Sequence, residues 1–176
     1  MTLDTQRTQK IVPSLWFDKE CEEAIKFYVD TFNAAPGKRA ESRIVTLQRY
    51  PEDKQVGPTP GMEGKVLTAI FELAGQRFMA LDGGPIFTFN ESVSFYVECE
   101  DQEEVDYFWG KLSAVPESEQ CGWLKDKYGL SWQVVPKQLG ELMSDPDKAK
   151  AGRVMDAMLK MKKIDVAGLE RAAAGE

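Results

Sequence analysis

The stretch that decides the fold is residues 20–33, ECEEAIKFYVDTFN, because it occurs twice. Its apolar residues recur at helical spacing, and its first turn is acidic, where the helix dipole favours negative charge. Residues 102–114, QEEVDYFWGKLSA, repeat the acidic start and the aromatic pair at an offset of 81 positions. A strand candidate precedes each helix, at 11–17 and at 92–99. The repetition predicts a duplicated β-α-β-β-β unit.

The rest of the chain supplies the remaining elements. Alternation and turn signals predict further strands at 41–49, 65–74, 77–82, near 120–125 and at 130–135. Residues 51–64 hold Pro and Gly with few apolar residues, which is typical of a long loop and a candidate lid. The two modules are predicted at about 10–84 and 90–138. Residues 139–176, with a Met-rich helical stripe, are predicted as a C-terminal helical extension.

Composition excludes several classes of partner. The chain has 176 residues, and its net charge of −7 argues against nucleic acid or an acidic membrane surface as partner. It lacks an apolar stretch long enough to cross a bilayer, and its first residues lack the apolar core of a signal peptide. Cys21, Cys99 and Cys121 have no CxxC spacing and are interpreted as free thiols. These features predict a cytoplasmic protein.

The chain contains no histidine. Histidine is the commonest general base and the commonest metal ligand, so its absence removes Ser-His-Asp and Cys-His catalytic arrangements. A metal site would have to use carboxylates, glutamine, tyrosine or thiolates.

Three separate stretches carry a family resemblance: LWFDKECEEAIKFYVDTF (15–32), GQRFMALDGGPIFTFNESVSFYVECEDQEEVDYFW (75–109) and CGWLKDKYGLSWQVVP (121–136). With the duplicated unit, they resemble the vicinal oxygen chelate superfamily, which includes glyoxalase I, bleomycin-resistance proteins and extradiol dioxygenases. Within it they resemble the PhnB-like branch, labelled 3-demethylubiquinone-9 3-methyltransferase-like. The resemblance implies an α+β fold in which two βαβββ modules form a curved mixed sheet with a concave cavity, followed here by C-terminal helices. It also implies a homodimer.

The resemblance further locates the positions that hold a metal in metal-dependent members. In this chain they fall on Pro13, near Asp82, on Ser94 and on Gln133. Proline has no side-chain donor, and serine and glutamine are poor ligands for divalent metals. A catalytic metal needs about three protein ligands. We therefore predict a cavity that holds no metal and no cofactor.

Strand alternation assigns the lining of that cavity. Side chains at every second position, including Ser131, Gln133 and Val135 on the last strand, are predicted to point inward, whereas Trp132 and Val134 point to a helix. The predicted ligand-binding residues are Pro13, Leu15, Phe17, Asp82, Ser94, Tyr96, Glu98, Trp123 and Gln133, with Trp123 and Asp126 at the rim. An apolar cup with a few polar groups is typical of a small-molecule site.

Three hypotheses of function stay open at this point. The first is a protein that binds or sequesters a small organic molecule in a metal-free cavity, with its catalytic activity undetermined. The second is a metal-dependent lyase, isomerase or dioxygenase that recruits its metal through Asp82, Glu98 and Gln133. The third is the methyltransferase of the family label. It lacks support because DGGP at 82–85 leads to a strand, whereas a turn that binds S-adenosylmethionine leads to a helix.

Overall fold

The computed structural model describes residues 9–37 and 40–176. These residues form two compact units. The first unit comprises the described parts of 1–34 and 38–88, and the second comprises 35–37 and 89–176. Each unit is a small sheet with a helix packed on one face. The α+β class and the C-terminal helices are confirmed, and the strands form two sheets, one of four strands and one of three.

The first unit has the predicted βαβββ order. Its elements are β1 (Ser14–Phe17), α1 (Cys21–Asn33), β2 (Arg43–Arg49), β3 (Val66–Leu73) and β4 (Gln76–Asp82). The sheet order is β1-β4-β3-β2, with β1 parallel to β4 and the other pairs antiparallel. The parallel pairing follows from the helical crossover between β1 and the rest of the sheet.

Helix α1 covers one face of this sheet. Asp82, at the end of β4, accepts a hydrogen bond from the backbone N–H of Cys21, the first residue of α1. The side chains on the Asp82 face are therefore those under the helix, and they include Phe71 and Phe78, whose rings stack at 5.3 Å. Tyr28 of α1 is fully buried in the core of this unit.

The loop 51–64 forms neither helix nor strand, as predicted. It packs on its own unit, because Met62 is fully buried and Lys19 donates a hydrogen bond to the carbonyl of Pro60 at 3.0 Å. Its action as a lid stays a prediction.

The second unit has one strand fewer. Its elements are β5 (Ser94–Cys99), α2 (Gln102–Leu112), a 3-10 turn (Pro116–Ser118), β6 (Trp123–Lys125) and β7 (Ser131–Pro136), in the sheet order β5-β7-β6. The turn stands where the first unit has its outer strand β2. Pro116 begins this turn, and a proline there supplies no N–H for a sheet ladder.

Helix α2 covers the face of this sheet that carries Trp132 and Val134, as predicted. Both are buried, and α2 buries Val105, Phe108 and Leu112 in return. Phe95 lies in register with Trp132 and contacts its ring at 5.6 Å. The opposite face is partly open.

The C-terminal helices are α3 (Lys137–Met143), α4 (Lys148–Met158) and α5 (Val166–Ala174). They share a core with the end of β7, made of Val135, Leu139, Val154, Ile164, Leu169 and Ala173. The side chain of Gln102 fixes them to α2, because its Nε2 donates to the carbonyl of Ile164 at 3.1 Å and its Oε1 accepts from the N–H of Val166 at 2.8 Å. None of the described helices is long and apolar enough to span a bilayer.

Candidate functional site

The open side of the second sheet carries five of the predicted ligand-binding residues. We call it the polar face and define it by Ser94, Tyr96, Glu98, Trp123, Lys125, Ser131 and Gln133. Strand register arranges most of these residues in two rows: Tyr96, Gln133 and Trp123 lie side by side, and Ser94, Ser131 and Lys125 form the neighbouring row. The alternation predicted for β5 and β7 therefore agrees with the register of the sheet.

Gln133 and Ser94 are in direct contact at the centre of this face. The amide Nε2 of Gln133 donates a hydrogen bond to Ser94 Oγ at 2.9 Å. The amide oxygen of Gln133 is left without a hydrogen bond among the described contacts, and it remains an acceptor. The structure thus brings together two of the four positions that the resemblance singled out.

Ser131 adds an unsatisfied group to the polar face. Its side chain is 1% exposed, and its Oγ finds no hydrogen-bond partner within the described part of the chain. A buried hydroxyl without a partner costs free energy. The neighbouring Lys125 is paired with Glu91.

Two aromatic side chains flank Gln133. Tyr96 is 55% exposed, and Trp123 is half-buried. Partial burial of Tyr96 and the nearby Glu98 carboxylate raise the pKa of its phenol, which therefore stays protonated at neutral pH and remains a hydrogen-bond donor.

The position of Trp123 depends on the turn between β6 and β7. Asp126 organises that turn by accepting hydrogen bonds from the N–H groups of Tyr128 and Leu130 at 2.8 and 3.0 Å. Its other oxygen accepts from the indole of Trp132 at 2.9 Å. The prediction that Asp126 lies at a cavity rim is wrong, because this residue is buried and holds the register that sets Trp123 opposite Gln133.

The predicted inward orientation of Leu15 and Phe17 is also wrong. Leu15 is paired in register with Ala80, and Phe17 with Asp82. Both therefore share the face of Asp82, which α1 covers, and they are 6% and 1% exposed. These two side chains belong to the core beneath α1, and the open face of β1 carries Trp16 instead.

The error has a definite cause. The predicted orientation of β1 applied to the strands the offset of 81 residues that aligns the two helices. The buried aromatic residues of the two helices, Tyr28 and Phe108, are 80 positions apart. A change of one residue moves every side chain of a strand to the opposite face. The informative signal is that Tyr28, and not Phe27, is buried. When Tyr28 is aligned with Phe108, the counterpart of Ser94 is Ser14 and not Pro13.

Pro13 and Asp82 have structural roles in the first unit. The carbonyl of Pro13 accepts a hydrogen bond from the N–H of Met79 at 2.8 Å and so extends the pairing of β1 with β4. The carboxylate of Asp82 is buried and accepts from the N–H groups of Cys21 at 2.8 Å and Val66 at 2.9 Å. Burial raises the pKa of Asp82, although the two N–H groups oppose that shift.

These donors do not fit a divalent metal. Both oxygens of Asp82 are engaged by backbone groups, Pro13 has no side-chain donor, and Gln133 offers one neutral amide oxygen, a poor ligand for a divalent metal. Across residues 9–37 and 40–176, no group of three or more His, Cys, Asp or Glu side chains is arranged to hold a metal ion. A catalytic metal requires about three such ligands.

A concave region lies in the first unit and includes Asp82, one of the predicted ligand-binding residues. This charged cleft of about 610 Å³ is lined by Lys19 and Glu20, by the start of α1, by Arg49, by residues 63–66 and by Asp82. Within it, Glu22 pairs with Lys26 at 2.8 Å and with Arg49 at 2.6 Å. These ion pairs lower the pKa of Glu22.

The buried cysteines are not candidates for nucleophiles. Cys21 and Cys99 are fully buried free thiols, and Cys121 is also free. Burial raises the pKa of Cys21 far above its usual value and that of Cys99 to about 12. Their thiols stay protonated at neutral pH and are therefore unreactive.

Comparison with known proteins identifies solved structures that match 72–73% of this chain. The chain is 39% identical to a PhnB protein from Bacillus cereus whose structure is known and which carries the name 3-demethylubiquinone-9 3-methyltransferase. The match covers 72% of this chain and 99% of the other, with a TM-score of 0.56. A crystal structure from Pseudomonas aeruginosa has 18% identity and a TM-score of 0.52 over 73% of this chain and 98% of that one, which shows a shared fold.

One curated relative is much larger. The chain is 31% identical over 93 residues to the nitrate reductase alpha chain of Bacillus subtilis, and the match covers 52% of this chain but 7% of that protein. The sequence profile of the family 3-demethylubiquinone-9 3-methyltransferase matches residues 9–135, which contain both sheets and the polar face. This chain therefore belongs to the 3-demethylubiquinone-9 3-methyltransferase family, in its PhnB-like group.

Proposed function

We propose that this PhnB-like protein binds a small organic molecule on the polar face of its second unit, without a metal. The observation that carries the proposal is the hydrogen bond between Gln133 and Ser94 on a partly open sheet face, beside the unpaired hydroxyl of Ser131. Polar groups that converge between aromatic side chains are characteristic of small-molecule sites. Glu98 supplies one exposed carboxylate at the end of this face.

A library of small organic compounds tests the proposal. Binding to the wild-type protein is measured by ligand-observed NMR and compared with the variant Gln133→Leu, which keeps the side-chain volume but removes the amide. Loss of one buried polar contact weakens affinity by roughly tenfold. The matched control is Gln48→Leu, at an exposed glutamine of β2 in the first unit. A library without any binder, or binders unaffected by Gln133→Leu, would contradict the proposal.

We do not extend the methyl transfer in the family name to this chain. Gly83 and Gly84 follow β4, but they lead into the segment before β5 rather than into a helix. The strand–turn–helix arrangement that places a cofactor at a helix N-terminus is therefore absent at these glycines. Calorimetric titration with S-adenosylmethionine tests this reasoning, and saturable binding in the micromolar range would overturn it.

We further propose that the protein is a cytoplasmic homodimer. Ile86 and Phe87, in the segment that follows β4 in the first unit, are 54 and 62% exposed. Large apolar side chains clustered in one exposed segment are typical of a surface that is covered by a partner. The three free cysteines favour a reducing compartment. Analytical ultracentrifugation of the wild-type protein and of Ile86→Ser tests the dimer, and a wild-type monomer at micromolar concentration would contradict it.

A further inference from the structure

Residues 51–61 of the long loop are held to the first unit by few contacts. All of them except Val56 and Thr59 are exposed. Within the described part of the chain, their one hydrogen bond is the bond that Lys19 Nζ donates to the carbonyl of Pro60 at 3.0 Å. A segment with exposed backbone and few buried contacts opens locally at a small cost in free energy, while the rest of the domain stays folded.

The motif GPTPG, at residues 57–61, has the composition of a stiff plate between two hinges. Gly57 and Gly61 stand at its ends with φ angles of +131° and +80°, which glycine adopts more easily than other residues. Between them, Pro58 and Pro60 have fixed φ angles, and each proline also restricts the residue before it. We call residues 57–61 the flap.

The residues that follow the flap fix its base. Met62 is fully buried, and its carbonyl accepts a hydrogen bond from the N–H of Lys65 at 2.9 Å. The N–H of Tyr50, just after β2, donates in turn to the carbonyl of Lys65 at 2.9 Å. The backbone beyond Gly61 is thus anchored to the sheet, which puts the boundary between fixed and movable chain at that glycine.

The tip of the flap packs against the turn that follows β4. A Cβ atom at Gly84 would lie 2.4 Å from Thr59 Oγ1, so the Thr59 side chain occupies the space that the glycine leaves. The N–H of Gly84 donates to the carbonyl of Asp18 at 3.0 Å, and that of Gly83 donates to the carbonyl of Phe17 at 2.9 Å. The closed flap therefore lies at the carboxyl ends of the parallel strands β1 and β4.

The closed position leaves polar atoms unsatisfied. Thr59 Oγ1 and Asp18 Oδ1 are buried and have no hydrogen-bond partner among the described residues. A buried polar atom without a partner costs free energy, and opening of the flap returns the Thr59 hydroxyl to water. This cost reduces the difference in free energy between the closed and the open flap.

We propose that the flap opens and closes over the carboxyl ends of β1 and β4 while the rest of the first unit stays folded, with Gly57 and Gly61 as its hinges and Lys19 as its latch. Opening exposes Gly84 and the hydroxyl of Thr59, so the flap controls access to this end of the sheet. The device lies in the first unit and is independent of the ligand proposed for the polar face.

A thiol in place of the Thr59 hydroxyl reports the opening. Thr59→Cys is combined with Cys121→Ser, which removes the partly exposed native thiol, and modification by N-ethylmaleimide is followed by mass spectrometry. We expect the introduced thiol to react at least about tenfold more slowly than in urea-unfolded protein and at least about tenfold faster than the buried Cys21. Urea below the unfolding transition should accelerate the reaction of Cys21 alone, because local opening exposes little surface.

Two substitutions in the Thr59→Cys background test the latch and a hinge. Lys19→Met should accelerate the reaction roughly two- to tenfold, because it removes the hydrogen bond to the flap. Gly61→Ala strains the closed flap at a φ angle of +80° and should accelerate it at least about fivefold. The matched controls are Lys26→Met, at an exposed lysine paired with Glu22, and Gly37→Ala, at a φ angle of +67° after α1; both should leave the rate unchanged.

The contradicting outcomes are distinct. An introduced thiol that reacts no faster than Cys21 would show that the flap opens only when the unit unfolds, and one that reacts as fast as in the unfolded protein would show that no flap closes. Equal rates for Lys19→Met and Lys26→Met would overturn the latch. Methyl relaxation dispersion of the wild-type protein needs no substitution: we expect exchange at Thr59 that is absent at Met62, and the same exchange at both would overturn the hinge at Gly61.

Discussion

Replacement of Asp82 by alanine tests whether this residue is structural. Its carboxylate accepts two backbone hydrogen bonds, from Cys21 at the start of α1 and from Val66 at the start of β3. A hydrogen bond to an ionised group contributes about 1.5–3 kcal/mol. Release of a buried carboxylate, whose pKa is raised by burial, offsets part of this loss. We therefore expect Asp82→Ala to reduce the free energy of unfolding by about 2–4 kcal/mol.

The assay is urea denaturation followed by far-UV circular dichroism, with thermal unfolding alongside. For a chain of this size, that loss lowers the melting temperature by roughly 5–15 °C. Hydrogen exchange supplies the local readout, since the amides of Cys21 and Val66 should lose protection. Asp82→Asn retains one acceptor oxygen, and we expect about half of the loss.

The control and the refuting results are equally specific. Asp156→Asn, at an exposed position of α4, should change stability by less than about 0.5 kcal/mol. A comparably small effect of Asp82→Ala would refute the capping role. So would stabilisation of the wild-type protein, but not of the variant, by added Mn²⁺ or Zn²⁺, because that result would make Asp82 a metal ligand.

Three further predictions concern other parts of the fold. Gln102→Ala removes both bonds to the C-terminal segment and should destabilise the protein by about 1–3 kcal/mol, with faster proteolysis of α5, measured by limited digestion. In the native protein at pH 7, a thiol reagent should modify at most Cys121, since Cys21 and Cys99 are buried and protonated. Paired arginines lower the pKa of Glu72. The ionised carboxylate therefore stabilises the fold, by under about 1 kcal/mol. We expect this stabilisation to be present above pH ~4.3 and to be lost as the pH falls through the lowered pKa.

Each of these predictions has a contradicting outcome. Unchanged digestion of Gln102→Ala would show that the helical core alone holds α5. Rapid reaction of two or three thiols before denaturation would contradict the burial of Cys21 and Cys99. For Glu72, the comparison is with Glu72→Gln: a stability difference that grows as pH falls from 6 to 3 would have the wrong sign.

Much of the polar face could be predicted from the sequence because apolar and polar side chains alternate clearly along β5 and β7. Phe95 and Trp132 are apolar and face α2, whereas Ser94 and Gln133 fall on the other parity. The duplicated helix start predicted both modules. The extra strand expected in the second unit does not form, since the segment that contains Pro116 makes a turn.

The remaining errors share one physical origin. Strand β1 has only four residues, and its neighbours are mostly apolar, so its pattern does not reveal which side faces the helix. The number of residues between β1 and α1 decides that side, and one residue reverses it. Asp82 illustrates the same limit, because its isolated carboxylate looks like a ligand until the backbone groups around it are located.

The sequence by itself determined the α+β class, the two repeated units, the helical C-terminus and the absence of histidine chemistry. These features depend on local periodicity and composition, which are properties of the chain alone. Only the tertiary structure decided that Gln133 meets Ser94, that Tyr96 and Trp123 flank them, and that Asp82 caps α1. Such contacts join residues tens of positions apart, and they depend on strand register, which the order of residues along one strand does not specify.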